Sequence, residues 1–463
     1  MRVLRRWFSK RIGYPLLVFG RSARDRKLRA LLDEKRQLAR EPLDTLRRRQ
    51  LEMLKLVVVN AGKTVPFYRR RFQEVGFNPE SLQSLEDLAR IPPLTKDDIR
   101  EHLDELVSET YDRSKLVALT TGGSTGVPVH LYADQEAWMH WEASALLADE
   151  CAGWQPGEPI AMLWGAVSEL SAVKTLAGRA RALVRNQLVL NSLEMSRATL
   201  ADFHARLTRF RPALLVGYGS SLGALAWWLK GSQIGPVYPR VSVVNAAEPL
   251  YPERRALIET ACGAPVFDRY GTRDAGPIAM ECEAHAGLHI NAVDLLVEPY
   301  GGRTGEPQEL LITNLNAYGA PLIRYRIDDL AVFSDRVCPC GRGTPLLERI
   351  VGRVLDIVYL PGGGMVHGGF FFLVIEEHPV IEFQIVQDED FSLTVRIVKA
   401  EGYTARDDEH IRKMMAEHVQ GIPIRYEYVT SIDRTPTGKL RPVLSKALDI
   451  ARSRQDQAGK PAT

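Results

Sequence analysis

The apolar positions change their period along the chain. Leu43, Leu46, Met53, Leu54, Val57 and Val58 keep close to a 3.6-residue repeat, and Pro42 suits a first helical turn. Residues 22–60 are therefore predicted to be helical. Thr64-Val65-Pro66-Phe67-Tyr68 breaks that pattern. Residues 84–107 return to it in two pieces divided by Pro92-Pro93, the second opening on Thr95-Lys96-Asp97-Asp98 as a capped start. From Val117 to about Arg349, short apolar runs alternate with helical stripes. Runs 160–164, 213–217, 241–244 and 265–267 read as strands. Leu200, Phe203, Leu207 and Phe210 make one helical stripe, and residues 220–229 another. Alternation of this kind predicts an α/β fold with a parallel sheet and flanking helices.

The last hundred residues follow a different rhythm. A run at 354–360 ends in Pro361-Gly362-Gly363-Gly364, a hairpin-like turn. Strands are predicted at 381–386 and 393–398 across an acidic turn, then a helix at 407–419 and a strand at 425–429. This is a small α+β unit with the size of an independent domain. The expected organisation is a helical N-terminal extension over 1–60, a large body with parallel or mixed sheets over 61–352, and a small C-terminal domain over 353–455. Residues 456–463 form a polar tail expected to be disordered.

Charge and composition alter this picture in three places. Hydrophobic residues at 45% and charged residues at 25% fit a soluble globular protein of several domains in 463 residues. A net charge of +3 argues against nucleic acid as the main partner. The charge is uneven, because residues 1–30 hold ten Lys or Arg against Asp25 alone. The apolar run 12–20 is too short to span a bilayer and has no signal-peptide cleavage pattern. The basic stretch reads either as an amphipathic helix resting on an anionic membrane surface or as a solvated helix packed on its own domain. Five cysteines in so long a chain do not suggest a disulfide scaffold, which points to a reducing, cytoplasmic compartment.

Candidate chemistry starts at Thr120-Thr121-Gly122-Gly123-Ser124-Thr125-Gly126, between predicted strands at 115–119 and 129–132. Glycines let backbone approach a ligand, and successive N–H groups with Ser and Thr hydroxyls form an anion-binding concavity. The stretch reads as a phosphate-holding loop or as a Gly-rich hairpin turn. It is not a Walker A loop, since no Lys-Ser/Thr pair closes it and no helix pattern follows. Further polar turns are Ala246-Ala247-Glu248-Pro249, Tyr270-Gly271-Thr272-Arg273-Asp274, Arg324–Leu330, Val351-Gly352-Arg353 and Arg434-Thr435-Pro436-Thr437-Gly438-Lys439. Each alone is an ordinary surface turn.

In this order, over about residues 45–445, the stretches resemble the adenylate-forming superfamily of acyl–coenzyme A synthetases. More narrowly the chain is similar to the phenylacetate–CoA ligase branch and its relatives associated with capsular polysaccharide biosynthesis. Thr64–Tyr68, the Pro321–Leu330 segment and Cys338-Pro339-Cys340-Gly341-Arg342 add to the likeness. The resemblance implies ATP-dependent activation of a carboxylic acid as an acyl-adenylate, followed by transfer to coenzyme A. It implies that Thr121, Gly122, Gly123, Ser124, Thr125 and Gly126 hold the β- and γ-phosphates. Tyr270, with Gly271, stacks on adenine beside Ala247, Glu248 and Pro249. Thr272 contacts the α-phosphate, and Asp274 holds Mg²⁺ where the family usually has Glu. Asp329 accepts from the ribose hydroxyls, helped by Arg353, and Lys439 bridges the substrate carboxylate and the α-phosphate. The small C-terminal domain is implied to swing about a pivot just after Arg353.

Three positions depart from the family. Val127 replaces a common loop Lys, Asp328 stands beside Asp329 where Gly is frequent, and Leu355 replaces an acidic hinge residue. Two adjacent acids near ATP repel phosphate unless one turns away or pairs with Arg326. Separately, Cys282, Cys338 and Cys340 with His285 or His289 offer three thiolates and an imidazole, a suitable tetrahedral Zn²⁺ set. The alternative is reduced thiols in a turn. Likeness to relatives with a structural zinc favours His289. The expected activity is an AMP-forming acid–CoA ligase. The alternatives are an amine or hydroxyl acceptor, or a catalytically weakened nucleotide-binding scaffold at the membrane.

Overall fold

A computed structural model describes residues 23–121, 129–165, 175–192, 195–303, 305–353, 357–361, 365–367, 370–371, 374–375, 378–419, 421–434 and 440–447. The chain divides into two compact units. One holds the chain up to Glu158 together with Phe267–Ile350, and the other holds Pro159–Val266 together with the chain from Val351.

The first unit opens with helices α1 (Ala23–Leu38) and α2 (Leu43–Thr64). Leu46, Gln50, Leu54, Val57, Val58 and Ala61 form the buried face of α2, the helical stripe read from the sequence. Val65 ends α2 in extended backbone, and Pro66 begins α3 (Pro66–Glu74) at a first-turn position that needs no N–H donor. Predicted helix over 84–107 is reduced to a 3-10 turn at Glu86–Arg90 and to α4 (Lys96–His102). α4 starts on a capping box in which the Thr95 and Asp98 side chains each accept from the other's backbone N–H. β1 (Val117–Thr121) and β2 (Val129–Ala133) pair antiparallel, Thr121 opposite Val129. α5 (Gln135–Cys151) follows, capped by Asp134.

The chain then enters the second unit. β3 (Ile160–Trp164), α6 (Leu176–Val184), β4 (Gln187–Asn191), α7 (Arg197–Phe210), β5 (Leu214–Tyr218), α8 (Gly219–Gly231), β6 (Ser242–Ala246) and α9 (Pro252–Cys262) alternate as the pattern predicts. The strands are parallel, with β3 between β4 and β5 and β5 beside β6. β5 and β6 are buried at every position, as strands covered on both faces by helices must be.

After α9 the predicted alternation stops. β7 (Val266–Thr272), β8 (Gly276–Glu281), β9 (Leu288–Ile290), β10 (Leu295–Tyr300), β11 (Gln308–Asn314), β12 (Tyr325–Ser334) and β13 (Leu346–Arg353) follow with no helix among the described residues. In the first unit they run in the order β10-β11-β12-β13-β9-β8-β7. The pairs β7–β8, β8–β9, β10–β11 and β11–β12 are antiparallel. Short turns with glycines at positive φ, such as Gly276, Gly301 and Gly302, return the chain at once and leave no length for a crossover helix. The strands β3 to β6 of the second unit are therefore parallel, and those of the first unit mainly antiparallel.

The C-terminal part of the second unit carries its own sheet. β14 (Ile357–Tyr359) pairs with β15 (Met365–His367), closing the hairpin expected around the glycines. β16 (Val380–Gln387), β17 (Leu393–Lys399), β18 (Ile424–Tyr428) and β19 (Val443–Ser445) form a second, four-stranded sheet in the order β18-β17-β16-β19, with α10 (Ala405–His418) between β17 and β18 in the chain. Ile411 and Met415 of α10 join Phe383, Ile385, Val395 and Ile397 in one core.

Candidate functional site

In the first unit the candidate nucleotide residues gather around one hairpin. β7 and β8 pair Gly271 with Pro277 and Thr272 with Gly276. The turn between them holds Arg273 and Asp274, and the Thr272 Oγ1 accepts the Ala275 N–H at 3.2 Å. Gly271 has no room for a side chain, because a Cβ there would lie 2.7 Å from the Gly276 carbonyl oxygen. Tyr270 donates its phenol hydrogen to Asp329 Oδ2 at 2.6 Å, across 59 residues of sequence. Asp274, buried, accepts from the Tyr325 hydroxyl at 2.7 Å. Burial first, then the nearby Asp274 carboxylate, pushes the Tyr325 phenol well above its ordinary range, so it stays a donor. Tyr325 was not singled out in the sequence, although it lies inside the Arg324–Leu330 stretch.

The adjacent acids Asp328 and Asp329 separate cleanly. Asp328 takes a left-handed backbone, φ 63°. Its carboxylate pairs with Lys96 at 2.8 Å, while Arg326, the partner expected from sequence, is 3.8 Å away and engaged by Glu309. Lys96 arrives because Leu94 bridges to Tyr325 and so lays the start of α4 along β12. Nothing in the local pattern around Lys96 signalled this pairing, which depends on contacts more than two hundred residues apart. The Tyr68 hydroxyl, fully buried, accepts from Ile323 N–H at 2.9 Å and donates to the Pro321 carbonyl at 3.1 Å. Two stretches picked out separately in the sequence thus meet as one structural joint. Arg273 brings a guanidinium within 3.5 Å of the Thr120 carbonyl, at the root of the Gly-rich stretch. Thr121 closes β1. Gly122, Gly123, Ser124, Thr125, Gly126 and Val127 lie outside the described residues.

In the second unit, Ala247, Glu248 and Pro249 follow β6. Ala247 adopts φ 68°, which turns the chain back so that the Glu248 carbonyl accepts from Asn245 Nδ2 at 2.8 Å. The Glu248 carboxylate receives the Ser220 N–H at 2.7 Å and the Ser220 hydroxyl at 3.1 Å. It also receives the backbone N–H of Leu440 at 3.2 Å. Arg353 ends β13. Lys439 and Leu355 lie outside the described residues, as do Thr435–Gly438.

The cysteines form a separate cluster in the first unit. Cys282 follows β8, His289 sits on β9 opposite Leu346 of β13, and Cys338 and Cys340 lie in the turn before β13. One donor atom from each of the four lies within 4.8 Å of every other. Cys282 Sγ is 3.6 Å from Cys338 Sγ, and Cys340 Sγ is 3.3 Å from His289 Nε2. A tetrahedron with Zn–S bonds of about 2.3 Å has edges of roughly 3.8 Å, so the spacing suits zinc. Thr344 Oγ1 lies 2.8 Å from His289 Nδ1 and turns Nε2 toward the thiols. Burial lowers His289 to about 4, which keeps the imidazole neutral, and burial raises the Cys282 thiol to about 12. Cys340 is lowered despite its burial, because the Arg342 N–H and guanidinium face its sulfur. His285 points elsewhere, 3.3 Å from Glu281 and against the Phe267 ring. His289 is therefore the histidine of the set. Cys151 and Cys262 are buried and lie outside the cluster.

Comparison with known proteins follows the same lines. A family model described as the CapK C-terminal domain matches residues 358–446. Phenylacetate-coenzyme A ligase of Pseudomonas putida is 28% identical over 346 residues, 72% of this chain and 76% of that protein. Protein CapK of Staphylococcus aureus is 25% identical over 364 residues, 77% of this chain and 79% of its own length. A crystal structure of 2-hydroxyisobutyryl-CoA ligase in the postadenylation state superposes with a TM-score of 0.70 at 22% identity, covering 90% of this chain and 92% of that one. In sequence the chain is similar to phenylacetate–coenzyme A ligases and to CapK, and it has the adenylate-forming ligase fold.

Proposed function

We propose that the protein activates a carboxylic acid with ATP, forming an acyl-adenylate and pyrophosphate, and passes the acyl group to coenzyme A. The observation that carries this reading is the Tyr270–Asp329 hydrogen bond, which joins the proposed adenine platform to the proposed ribose acceptor. The similarity to phenylacetate–CoA ligases supports the same chemistry. In it, the substrate carboxylate attacks the α-phosphorus, the bond to pyrophosphate breaks, and charge builds on the phosphoryl oxygens. Thr121–Gly126 would cradle the leaving phosphates and Thr272 the α-phosphate, with Ala247, Glu248 and Pro249 lining the adenine side. Asp329 and Arg353 would hold the ribose. Lys439 would supply a cation on a flexible stem between carboxylate and phosphate. Mg²⁺ bound at Asp274 would offset phosphate charge, and a carboxylate with one oxygen fixed by Tyr325 suits such a hard cation. Arg273 adds a guanidinium at the root of a loop that lacks the usual Lys.

Structural zinc at Cys282, His289, Cys338 and Cys340 belongs to the same proposal, as does a pivot after Arg353 that lets residues 353–455 move between the two half-reactions. No helix among the described residues is long and apolar enough to cross a membrane. We place the protein in the cytoplasm, where ATP and coenzyme A are available. The basic face of α1 is used within its own unit, through Arg24–Glu142 at 2.7 Å and Arg36–Glu150 at 2.5 Å. Residues 1–22, outside the described residues, are the part to test against anionic vesicles. The second reading is an amine or hydroxyl acceptor in place of coenzyme A, kept open because the chain is similar to CapK as well as to the CoA ligases.

The deciding measurement is ATP–pyrophosphate exchange over a panel of aryl and medium-chain acids, followed by mass detection of the thioester. One acid should drive exchange and yield a thioester. Exchange without thioester favours the second reading, and no exchange with any acid sinks the enzyme reading in favour of a nucleotide-binding scaffold. Lys439→Ala should reduce exchange by about 100-fold or more, since it removes charge stabilisation in the transition state, while ATP binding changes by less than about threefold.

A further inference from the structure

The four-stranded C-terminal sheet ends in an open edge. β18 is the outermost strand of the order β18-β17-β16-β19, with β17 as its one neighbour among the described residues. The pairing is parallel: the Leu393 N–H donates to the Pro423 carbonyl at 2.8 Å, and the Val429 N–H to the Ile397 carbonyl at 3.0 Å. Backbone groups alternate in direction along a strand, so Pro423, Arg425, Glu427 and Val429 face β17. Ile424, Tyr426 and Tyr428 therefore turn their backbone polar groups to the open side. Their side chains share the sheet face that carries α10, where Arg412 lies 4.0 Å from the Tyr426 ring centre and donates to the Tyr428 hydroxyl at 3.0 Å. Arg425 and Glu427 occupy the other face, and there Glu427 accepts from Arg396 of β17 at 3.0 Å.

The side chains of this edge are ordered symmetrically about Tyr426. When a second β18 runs antiparallel with Tyr426 opposite Tyr426, Arg425 stands opposite Glu427 and Ile424 opposite Tyr428, and each pair occurs twice. Both charge pairs are then of opposite sign, which stabilises cross-strand pairing. The backbone agrees with this register, because 424, 426 and 428 all face outward, as the hydrogen-bonded pairs of an antiparallel ladder must. We propose that the β18 edge is a self-complementary interface that joins two copies of this chain across a twofold axis, making one eight-stranded sheet from two of four strands. The proposal does not depend on the adenylating reading.

Tyr428 and the surface beside Ile424 add shape to the charge pattern. A groove of about 290 Å³ lies between α10 and β18, lined by Ala416, Val419, Ile422, Ile424 and Tyr426 among others. Tyr428 is 42% exposed. Its hydroxyl is held by Asp408 and Arg412, and the Lys399 ammonium sits 3.6 Å from its ring centre. It is a fixed aromatic ring with an uncovered face, a side chain that anchors an interface at little cost in entropy. The register sets Tyr428 of the second copy opposite Ile424, where Ile424 lines the groove. An edge guarded against pairing carries proline, a bulge or charges that repel a second copy. This edge has neither proline nor a shift in register, and its charges attract their own copy. An extended segment of another protein would need no such symmetry, so the second copy is the occupant.

Sedimentation of the full chain is the test. The weight-average mass should rise from one chain toward two between about 1 and 100 µM, as for a small, transient interface. Arg425→Glu sets like charges opposite each other twice and should weaken self-association by about tenfold or more. Glu427→Lys should do the same, and in it Arg396 keeps its bond to Gln384 at 3.1 Å. An equimolar mixture of the two variants restores opposite signs at both pairs and should associate within about threefold of wild type. Recovery in the mixture also shows that neither variant is misfolded. The Tyr426 amide should exchange about tenfold more slowly at the top of the concentration range than at the bottom, because it gains an acceptor in the pair. A mass of one chain throughout the range overturns the proposal. So does association that both charge variants leave unchanged, or a loss that the mixture fails to recover, since a dimer formed elsewhere or a foreign segment on this edge does not read the charges of a second β18.

Discussion

Tyr270→Phe keeps an aromatic ring for stacking and removes only the hydroxyl that holds Asp329. Asp329 is buried, and a hydrogen bond to a charged group contributes roughly 1.5–3 kcal/mol. If the bond orients Asp329 for the ribose, the KM for ATP in pyrophosphate exchange should rise about tenfold or more with the turnover rate little altered. An unchanged KM would place the hydroxyl outside nucleotide binding. The thiol cluster yields a second residue-level expectation. Purified protein should carry one zinc per chain, and Cys282→Ser should lose it and unfold at lower temperature, because a buried tetrahedral site cannot be closed by three donors. Elemental analysis showing no zinc in wild-type protein, with the three thiols of Cys282, Cys338 and Cys340 freely titrating, would remove the metal from the proposal.

At the scale of elements, α1 is tied to α5 and to β10 by a buried polar network. Lys35 and Asp294 are each 1% exposed and pair directly, with His140 at 3.0 Å from the same carboxylate and Ser144 donating at 2.6 Å. Burial alone would raise Asp294, but Lys35 and His140 outweigh it and hold the carboxyl well below its ordinary range. A carboxylate whose folded pKa is depressed adds stability above the unfolded value of about 3.9, and that stability is lost as pH falls through the folded value. Asp294→Asn should therefore cost about 3–5 kcal/mol near neutral pH, since it strands a buried lysine. The gap from wild type in urea midpoint should narrow as pH drops below about 4. A gap independent of pH would mean the network is packing rather than charge. The sequence showed why α1 exists but not where Lys35 goes. Periodicity located α2, α7, α8 and the parallel strands β3, β5 and β6, because their burial repeats locally, but it did not mark β4. It missed the antiparallel run after α9, because hairpin returns depend on turn geometry at residues such as Gly276 and not on period. The same limit applies at the site. Tyr270, Asp274 and Asp329 were legible through their order along the chain. Tyr325, Lys96 and Ser220 act through partners 28 to 232 residues away, beyond the reach of a local pattern.

For the molecule as a whole, the question is whether residues after 353 change position between the two half-reactions. The backbone offers a place to ask it. Gly352, at the end of β13 and next to Arg353, has φ 129°, a value that L side chains rarely adopt. Gly352→Ala would strain the conformation described here by about 1–3 kcal/mol. If the chain is bistable at this point, that strain moves the population away from the arrangement described here by roughly 5- to 150-fold. Pyrophosphate exchange should then fall by a similar factor, while thioester formation from supplied acyl-adenylate should persist. A rigid chain predicts a different result: Gly352→Ala would lower the unfolding temperature and reduce both half-reactions together. Measuring both half-reactions in this variant therefore distinguishes a moving C-terminal domain from a fixed one without reference to the identity of the acid.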